Sequence, residues 1–189
     1  MKKFELTSET KINIFGKKLF RIKALISFGN VEAGETGGWV EKEENVNQSG
    51  DAWVFGNAEV FGNARVFGNA WAFGNARVFD NARVFDNAWV FGNAEVFGNA
   101  EVFGNARVSG NAWVSGNADY ATIHGFGTQF RTTTFFRCKD KQVKVSCGCF
   151  YGTIPEFREQ VKNTRKGKIA EEYLMIADLM EKHFAEEAK

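Results

Sequence analysis

From Ala52 onward the chain repeats one pattern of apolar and polar positions every six residues: Ala, a variable residue, Val, Phe, Gly, Asn. Aligned on Gly-Asn, eleven such hexads run without a gap from Ala52 to Asn117, and Ala118-Asp119-Tyr120-Ala121 begins a twelfth. A six-residue period with one aliphatic, one small residue and a two-residue turn predicts a parallel β-helix, because helix-pair and propeller repeats need periods several times longer. Side chains alternate along a strand, so Ala and Val share one face while the variable residue and Phe share the other. The variable position decides which face is inside. It reads Trp, Glu, Arg, Trp, Arg, Arg, Trp, Glu, Glu, Arg, Trp, Asp from 53 to 119, and a file of charges cannot line a narrow core. Val and Ala are therefore expected inside, with Phe outside at the strand end. Gly-Asn supplies the corner, since Gly takes positive φ freely and Asn tolerates it next best; Asp80 and Asp86 occupy the Gly position twice.

If three hexads close one triangular coil, residues eighteen apart stack in vertical files at the ~4.8 Å strand spacing, and the repeats make about four coils in a prism about 19 Å tall. One wall then carries Trp53, Trp71, Trp89 and Arg107. The second carries Glu59, Arg77, Glu95 and Trp113, and the third Arg65, Arg83, Glu101 and Asp119. Aromatic residues in register and an alternating Glu-Arg-Glu file are what stacked strands favour, whereas coils of two or four hexads would scatter the tryptophans.

An open coil end exposes unpaired strand edges, so both flanks are expected to cap the solenoid. Residues 1–51 read as an N-terminal β cap. Lys11–Phe15 and Leu19–Ile26 form two strands around Gly16-Lys17-Lys18, and Val31–Val40 is a Gly-rich loop feeding the first hexad. Residues 52–123 are the β-helix. In the C-terminal domain, 124–189, Thr132–Cys138 and Val143–Phe150 form a hairpin around Lys139–Gln142. Thr153-Ile154-Pro155-Glu156 is a capping box opening a helix to about Thr164. A second helix follows Gly167, with Ile169, Tyr173, Ile176, Met180 and Phe184 on one stripe. The fold class is mainly β with a small α+β C-terminal piece.

Composition narrows the function classes. Among 189 residues, Lys plus Arg is 24 against 23 Asp plus Glu, so no global field attracts nucleic acid. No apolar run approaches twenty residues, and Phe4-Glu5-Leu6-Thr7 turns polar directly after Met1-Lys2-Lys3, so neither a membrane span nor a signal peptide is expected. Three Cys in one C-terminal region suit a reducing cytosol rather than a disulfide framework. These features predict a cytoplasmic protein with no cofactor.

The inward aliphatic, the small residue four positions on and the unbroken hexad over residues 52–123 resemble the left-handed β-helix of hexapeptide-repeat proteins; the handedness is what that resemblance implies. More specifically, Phe28-Gly29-Asn30-Val31-x-Ala33-Gly34-x-x-Gly37-Gly38-Trp39-Val40, followed by Glu41-Lys42-Glu43 and then the hexads, is similar to a family of bacteriophage and prophage proteins. The resemblance implies action in a host cytosol on a host protein, with a host-defence component as one such target.

Several residue sets could carry function. The Phe file recurs on every wall and so stiffens each corner, but Phe55, Phe73 and Phe91 also border the Trp wall. Trp53, Trp71 and Trp89, with Arg107 at their rim, are the best candidates for a flat protein-binding or self-association patch in a dimer or trimer. Cys138, Cys147, Cys149 and His124 would form a metal site only if folding gathered them, since CxC without a second close pair is a poor zinc pattern. Many hexapeptide-repeat proteins are acetyl-CoA-dependent acyltransferases, which implies His124 as a base with Asp119 as its orienter; the projecting loop those enzymes use is absent from these hexads. Arg131, Arg137, Lys139, Lys141 and Lys144 could hold an anionic nucleotide, or simply solvate a hairpin. The reading these sets favour is a non-enzymatic interaction protein, with acyl transfer and nucleotide sequestration as the alternatives.

Overall fold

The computed structural model describes residues 2–185. Strands β1 (Phe4–Ile12) and β2 (Lys18–Ala24) form an antiparallel hairpin, and β3 (Thr36–Val40) pairs antiparallel to β2. Eleven two-residue strands then recur every six residues. They are β4 (Trp53–Val54), β5 (Glu59–Val60), β6 (Arg65–Val66), β7 (Trp71–Ala72), β8 (Arg77–Val78), β9 (Arg83–Val84), β10 (Trp89–Val90), β11 (Glu95–Val96), β12 (Glu101–Val102), β13 (Arg107–Val108) and β14 (Trp113–Val114). They stack in parallel as three walls: β3-β5-β8-β11-β14, β4-β7-β10-β13 and β6-β9-β12. Every pairing in the hexads is offset by eighteen residues, as Trp71↔Trp89, Arg77↔Glu95 and Arg83↔Glu101 illustrate. The result is a β-solenoid of about four coils, three hexads to each.

Inward Val and Ala are completely buried from Ala52 to Val114 and form one continuous core. The corner residue takes positive φ at every hexad from Gly56 to Gly110, Asp80 and Asp86 included at φ 58°, and the last corner, Gly116, is extended instead. Their carboxylates accept from the Gly98 and Gly104 amides of the next coil at 3.3 and 3.1 Å, which offsets part of the left-handed strain. The Asn beside each corner does more than turn the chain. Its amide Nδ2 donates to the Asn Oδ1 one coil along, at 3.1 Å for Asn63 to Asn81 and 3.2 Å for Asn81 to Asn99, so each corner carries a ladder of side-chain hydrogen bonds.

The solenoid starts earlier than the hexads announce. Val31–Val40 is not simply a feeding loop, because Trp39 and Val40 lie parallel to Glu59 and Val60, and Val46 bridges Val66. Val40 and Val46 are six residues apart, but Val54 follows Val46 by eight, so the first coil contains a corner two residues longer than the rest. That corner is stitched to the cap by side chains. Gln48 Oε1 accepts from the Lys3 and Phe4 amides at 2.8 and 3.2 Å, and Lys3 Nζ donates to the Ala52 and Gly50 carbonyls at 2.8 and 3.2 Å. The first strand is also longer than expected, beginning at Phe4 rather than Lys11.

Lys3 is an ammonium with almost no exposure, and burial lowers its pKa to about 8, with Asp51 opposing the shift. The unfolded chain holds this proton up to about 10.5, so between pH 8 and 10.5 it binds more protons than the native state and stability rises with pH. Buried Cys138 and Tyr120, pushed up to about 11 and about 12 by burial, act in the opposite sense at high pH. The Lys3 contribution is therefore read as a difference. Between pH 7 and pH 10 wild type is expected to gain about 2 kcal/mol relative to Lys3→Met in urea unfolding.

At the other end the period fails one strand sooner than the repeat count suggests. Asn117–Asp119 forms a short 3-10 turn, and Tyr120 opens β15 (Tyr120–Phe126), which leaves the coil. β15, β16 (Arg131–Arg137), β17 (Val143–Cys147) and β18 (Phe150–Thr153) make an antiparallel sheet, so the expected hairpin is the centre of a four-stranded unit. Thr153 caps α1 (Ile154–Thr164) as a capping box: the Glu156 amide donates to Thr153 Oγ1 at 3.3 Å, and the Thr153 amide donates to Glu156 Oε2 at 2.6 Å. α2 (Gly167–Phe184) buries Tyr173, Ile176, Met180 and Phe184, four of the five residues on the expected stripe, against this sheet; Ile169 is half-buried. No described helix is long and apolar enough to cross a membrane.

Candidate functional site

Because the coil register is strict, each variable position belongs to a vertical file whose neighbours are fixed by the backbone. Trp71 and Trp89 stack with centroids 5.3 Å apart and planes 3° from parallel. The Arg107 guanidinium lies 4.4 Å from the Trp89 centroid, so Trp89 is held between an indole and a cation. The corner phenylalanines brace the file from the side. Phe55 meets Trp71 edge-on at 5.3 Å, Phe73 meets Trp89 at 6.0 Å, and Phe73 stacks on Phe91 at 4.8 Å. Trp71, Trp89 and Arg107 are half-buried. With their ring faces taken up by one another, what they offer a partner is indole edges and guanidinium N–H groups, beside the amides of Asn69 and Asn87, themselves hydrogen-bonded at 3.1 Å. A groove of about 350 Å³ runs along this wall from Asp51 at the cap to Arg107.

Trp53 stands in the same file but is not surface. It is completely buried, with Phe4 and Phe28 packed edge-on at 5.8 and 5.3 Å. The N-terminal cap thus claims the first tryptophan for its own core and leaves two.

The second wall is a chain of ion pairs. Glu95 Oε1 accepts from Arg77 Nη1 at 2.8 Å and from Lys139 Nζ at 2.6 Å, and Glu59 Oε1 meets Lys11 Nζ at 2.7 Å. Lys11 comes from the cap and Lys139 from the C-terminal sheet, so this wall fastens both flanks to the coils. The cap also covers its phenylalanine column, with Phe15 against Phe61 and Phe79 at 5.4 and 5.1 Å. On the third wall Arg83 pairs with Glu101 at 2.6 Å, and Phe67, Phe85 and Phe103 stack at 4.9 and 5.2 Å.

The other candidate sets come apart in three dimensions. Asp119 Oδ2 accepts from the Ser115 and Gly116 amides and the Ser115 hydroxyl, while Oδ1 lies 3.6 Å from Arg137 Nε; it caps a turn and does not orient His124. His124 lies further along in β15, beyond that turn, and its Nδ1 is 3.1 Å from Thr132 Oγ1 instead. The expected metal set is gathered only in part: His124 and Cys149 line one cleft, but the other two cysteines do not join them there. Cys147 pairs across the hairpin with Thr133, five residues of extended chain, about 16 Å, from Cys138. Burial holds the Cys138 thiol well above the range in which it would ionise to a ligand, whereas Cys149 is exposed. Among the described residues no three His, Cys, Asp or Glu side chains gather as metal ligands. Of the basic set, Arg137 is bound to the Phe184 carbonyl at 3.0 Å and to Asp119, and Lys139 to Glu95. Arg131 alone of that set lines the cleft between the C-terminal sheet and the last coil.

A family model described as the YdcK beta solenoid repeat matches residues 76–92 and 100–116, two stretches within the coils. No curated protein matches the chain. The match and the stacked coils agree that this is a β-solenoid repeat protein.

Proposed function

We propose that this protein is a non-enzymatic binding module whose Trp71-Trp89-Arg107 wall docks a second protein. The setting implied by its resemblance to phage and prophage proteins is the host cytosol, with a host protein or a copy of the same chain as the occupant. One observation carries this reading: two indoles and a guanidinium are held in a parallel stack, half-exposed, on a wall whose backbone is fixed by eighteen-residue register. Such a patch is already ordered before binding, so association loses little side-chain entropy, and Trp and Arg are the residues that most often dominate interface energies. The coil ends are covered by the cap and by the C-terminal sheet, so assembly through a wall is favoured over end-to-end stacking.

The double variant Trp71→Ser/Trp89→Ser is expected to keep the β circular dichroism of wild type and to weaken self-association or partner capture at least about tenfold. Sedimentation velocity and pull-down with a purified partner measure this. Undiminished association in a folded double variant would remove the wall from consideration. Acyl transfer is tested separately by incubating the protein with acetyl-CoA and amine or hydroxyl acceptors, for which no release of free CoA above the uncatalysed rate is expected.

A further inference from the structure

Where the Trp wall ends, the chain builds a second concavity, which has only its upper edge in common with the docking wall. β16 crosses beneath the last coil, and the Arg107 amide donates to Thr134 Oγ1 at 3.0 Å, which brings the middle of β16 under the foot of the wall, three residues from Arg131 at its start. A cleft of about 540 Å³ opens there, lined by Arg107 from the solenoid and by His124, Arg131, Thr132 and Cys149 from the C-terminal sheet. It adjoins the groove above, sharing Asn105 and Arg107 with it.

The charges in this cleft are all of one sign. No acidic residue lines it. The ion pairs among the described residues engage Arg77, Arg83, Arg137, Lys139 and other cations, but neither Arg107 nor Arg131. Arg107 is steadied against the Trp89 ring, which fixes the guanidinium without neutralising it. Arg131 lies over the Gly148 turn, where a Cβ would meet its Nη1 at 2.5 Å, so glycine at 148 makes the room this side chain occupies. With His124 Nδ1 taken up by Thr132, Nε2 is the nitrogen that remains to donate or accept toward the cleft.

We infer that this cleft binds an anionic small molecule through a phosphoryl group, an organic phosphate of nucleotide size or smaller. Two forked guanidiniums without carboxylate partners match the charge of a phosphate or pyrophosphate dianion, whereas a single carboxylate would leave one arginine uncompensated. The imidazole, the Thr132 hydroxyl and the Asn105 amide supply further hydrogen-bonding groups, and the volume falls within the range of about 300–1,000 Å³ usual for small-molecule sites. The site joins two parts of the chain, so a bound anion would also tie the C-terminal sheet to the solenoid.

Isothermal titration calorimetry of the full chain with inorganic pyrophosphate and with a nucleoside diphosphate tests this, with citrate as a carboxylate of comparable charge. Saturable binding of both phosphates is expected, weakened about tenfold or more in Arg131→Gln, which removes a charge-assisted, forked donor from the site. Arg65→Gln, on the third wall, is expected to bind like wild type, and so is Trp71→Ser, which keeps this outcome separate from that of the docking wall. The inference is overturned by the absence of heat with either phosphate at millimolar concentration. It is equally overturned if a folded Arg131→Gln variant binds undiminished, or if citrate binds as tightly as pyrophosphate.

Discussion

Trp53→Ala is expected to destabilise the protein by about 4 kcal/mol in urea unfolding, whereas Trp71→Ala, one coil away in the same file, costs about 1–2 kcal/mol. The side chains are identical and their backbones are hydrogen-bond neighbours, so the difference isolates what surrounds them. Trp53 is enclosed by Phe4 and Phe28 of the cap, and its Cζ2 lies 2.6 Å from where a Cβ on Gly37 would stand. Removing it leaves a cavity at the junction of cap and solenoid, where the surrounding strands are too constrained to collapse. Trp71 loses its stack on Trp89 and its contact with Phe55, but water fills the space. A third variant separates volume from polarity. Trp53 Nε1 is buried and has no hydrogen-bond partner among the described residues, so Trp53→Phe removes an unsatisfied N–H along with part of the ring. Its expected cost is about 1 kcal/mol, because relief of the orphaned donor offsets much of the lost contact.

That contrast also marks the limit of what could be read from the residues in order. The inward Val and Ala, the three walls and the Glu59-Arg77-Glu95 file were legible because each follows from a short period with the neighbour eighteen residues away. The α2 stripe and the Thr153 capping box were legible for the same reason, being local patterns. The covers were not. The hexads of Trp53 and Trp71 differ only at the inward Val54 and Ala72, which say nothing of what covers the indole, and the burial of Trp53 depends on Phe4 of β1 and Phe28 of the segment after β2. The first coil was hidden because Trp39-Val40 and Asn45-Val46 keep the six-residue step but lack the Ala and Phe-Gly-Asn around it, and a two-residue insertion then shifts the phase. A search for Val at six-residue intervals upstream of Ala52 would have found it. The exit was hidden by the opposite effect, since Ala118-Asp119-Tyr120-Ala121 keeps the composition of a hexad while Asp119 folds back onto Ser115 and Gly116. The cleft beside Arg131 had only a partial signal, a basic residue at the start of a strand. Its partner Arg107 was visible as the rim of the Trp wall, and only the crossing of β16 beneath β13 brings the two to one cavity.

Gly38→Ala is expected to cost about 3 kcal/mol or more, whereas Gly56→Ala costs about 1 kcal/mol, and the two glycines invert the usual reason for conserving backbone freedom. Gly56 is a corner residue at φ 59° with open space around it, so alanine there meets only the intrinsic strain of the left-handed region. Gly38 has no such φ. It sits within β3, where an added Cβ would lie 2.5 Å from Val54 Cγ1 and 2.8 Å from the Ala58 carbonyl oxygen. The carbonyl cannot yield, because the Ala58 oxygen accepts from the Trp39 amide at 2.9 Å in the ladder that joins β3 to the coils. Relief requires β3 to lift from the solenoid, which loosens the cap at its one strand shared between antiparallel and parallel pairing. Urea unfolding gives the magnitude, and amide exchange gives the location: protection is expected to fall first at Trp39 and Glu41, whose amides donate to Ala58 and Val60, and to persist at Arg77 and Glu95 in the middle coils. A uniform loss across all coils would instead mean that cap and solenoid unfold as one cooperative unit, and the strain at Gly38 would then be read at every strand.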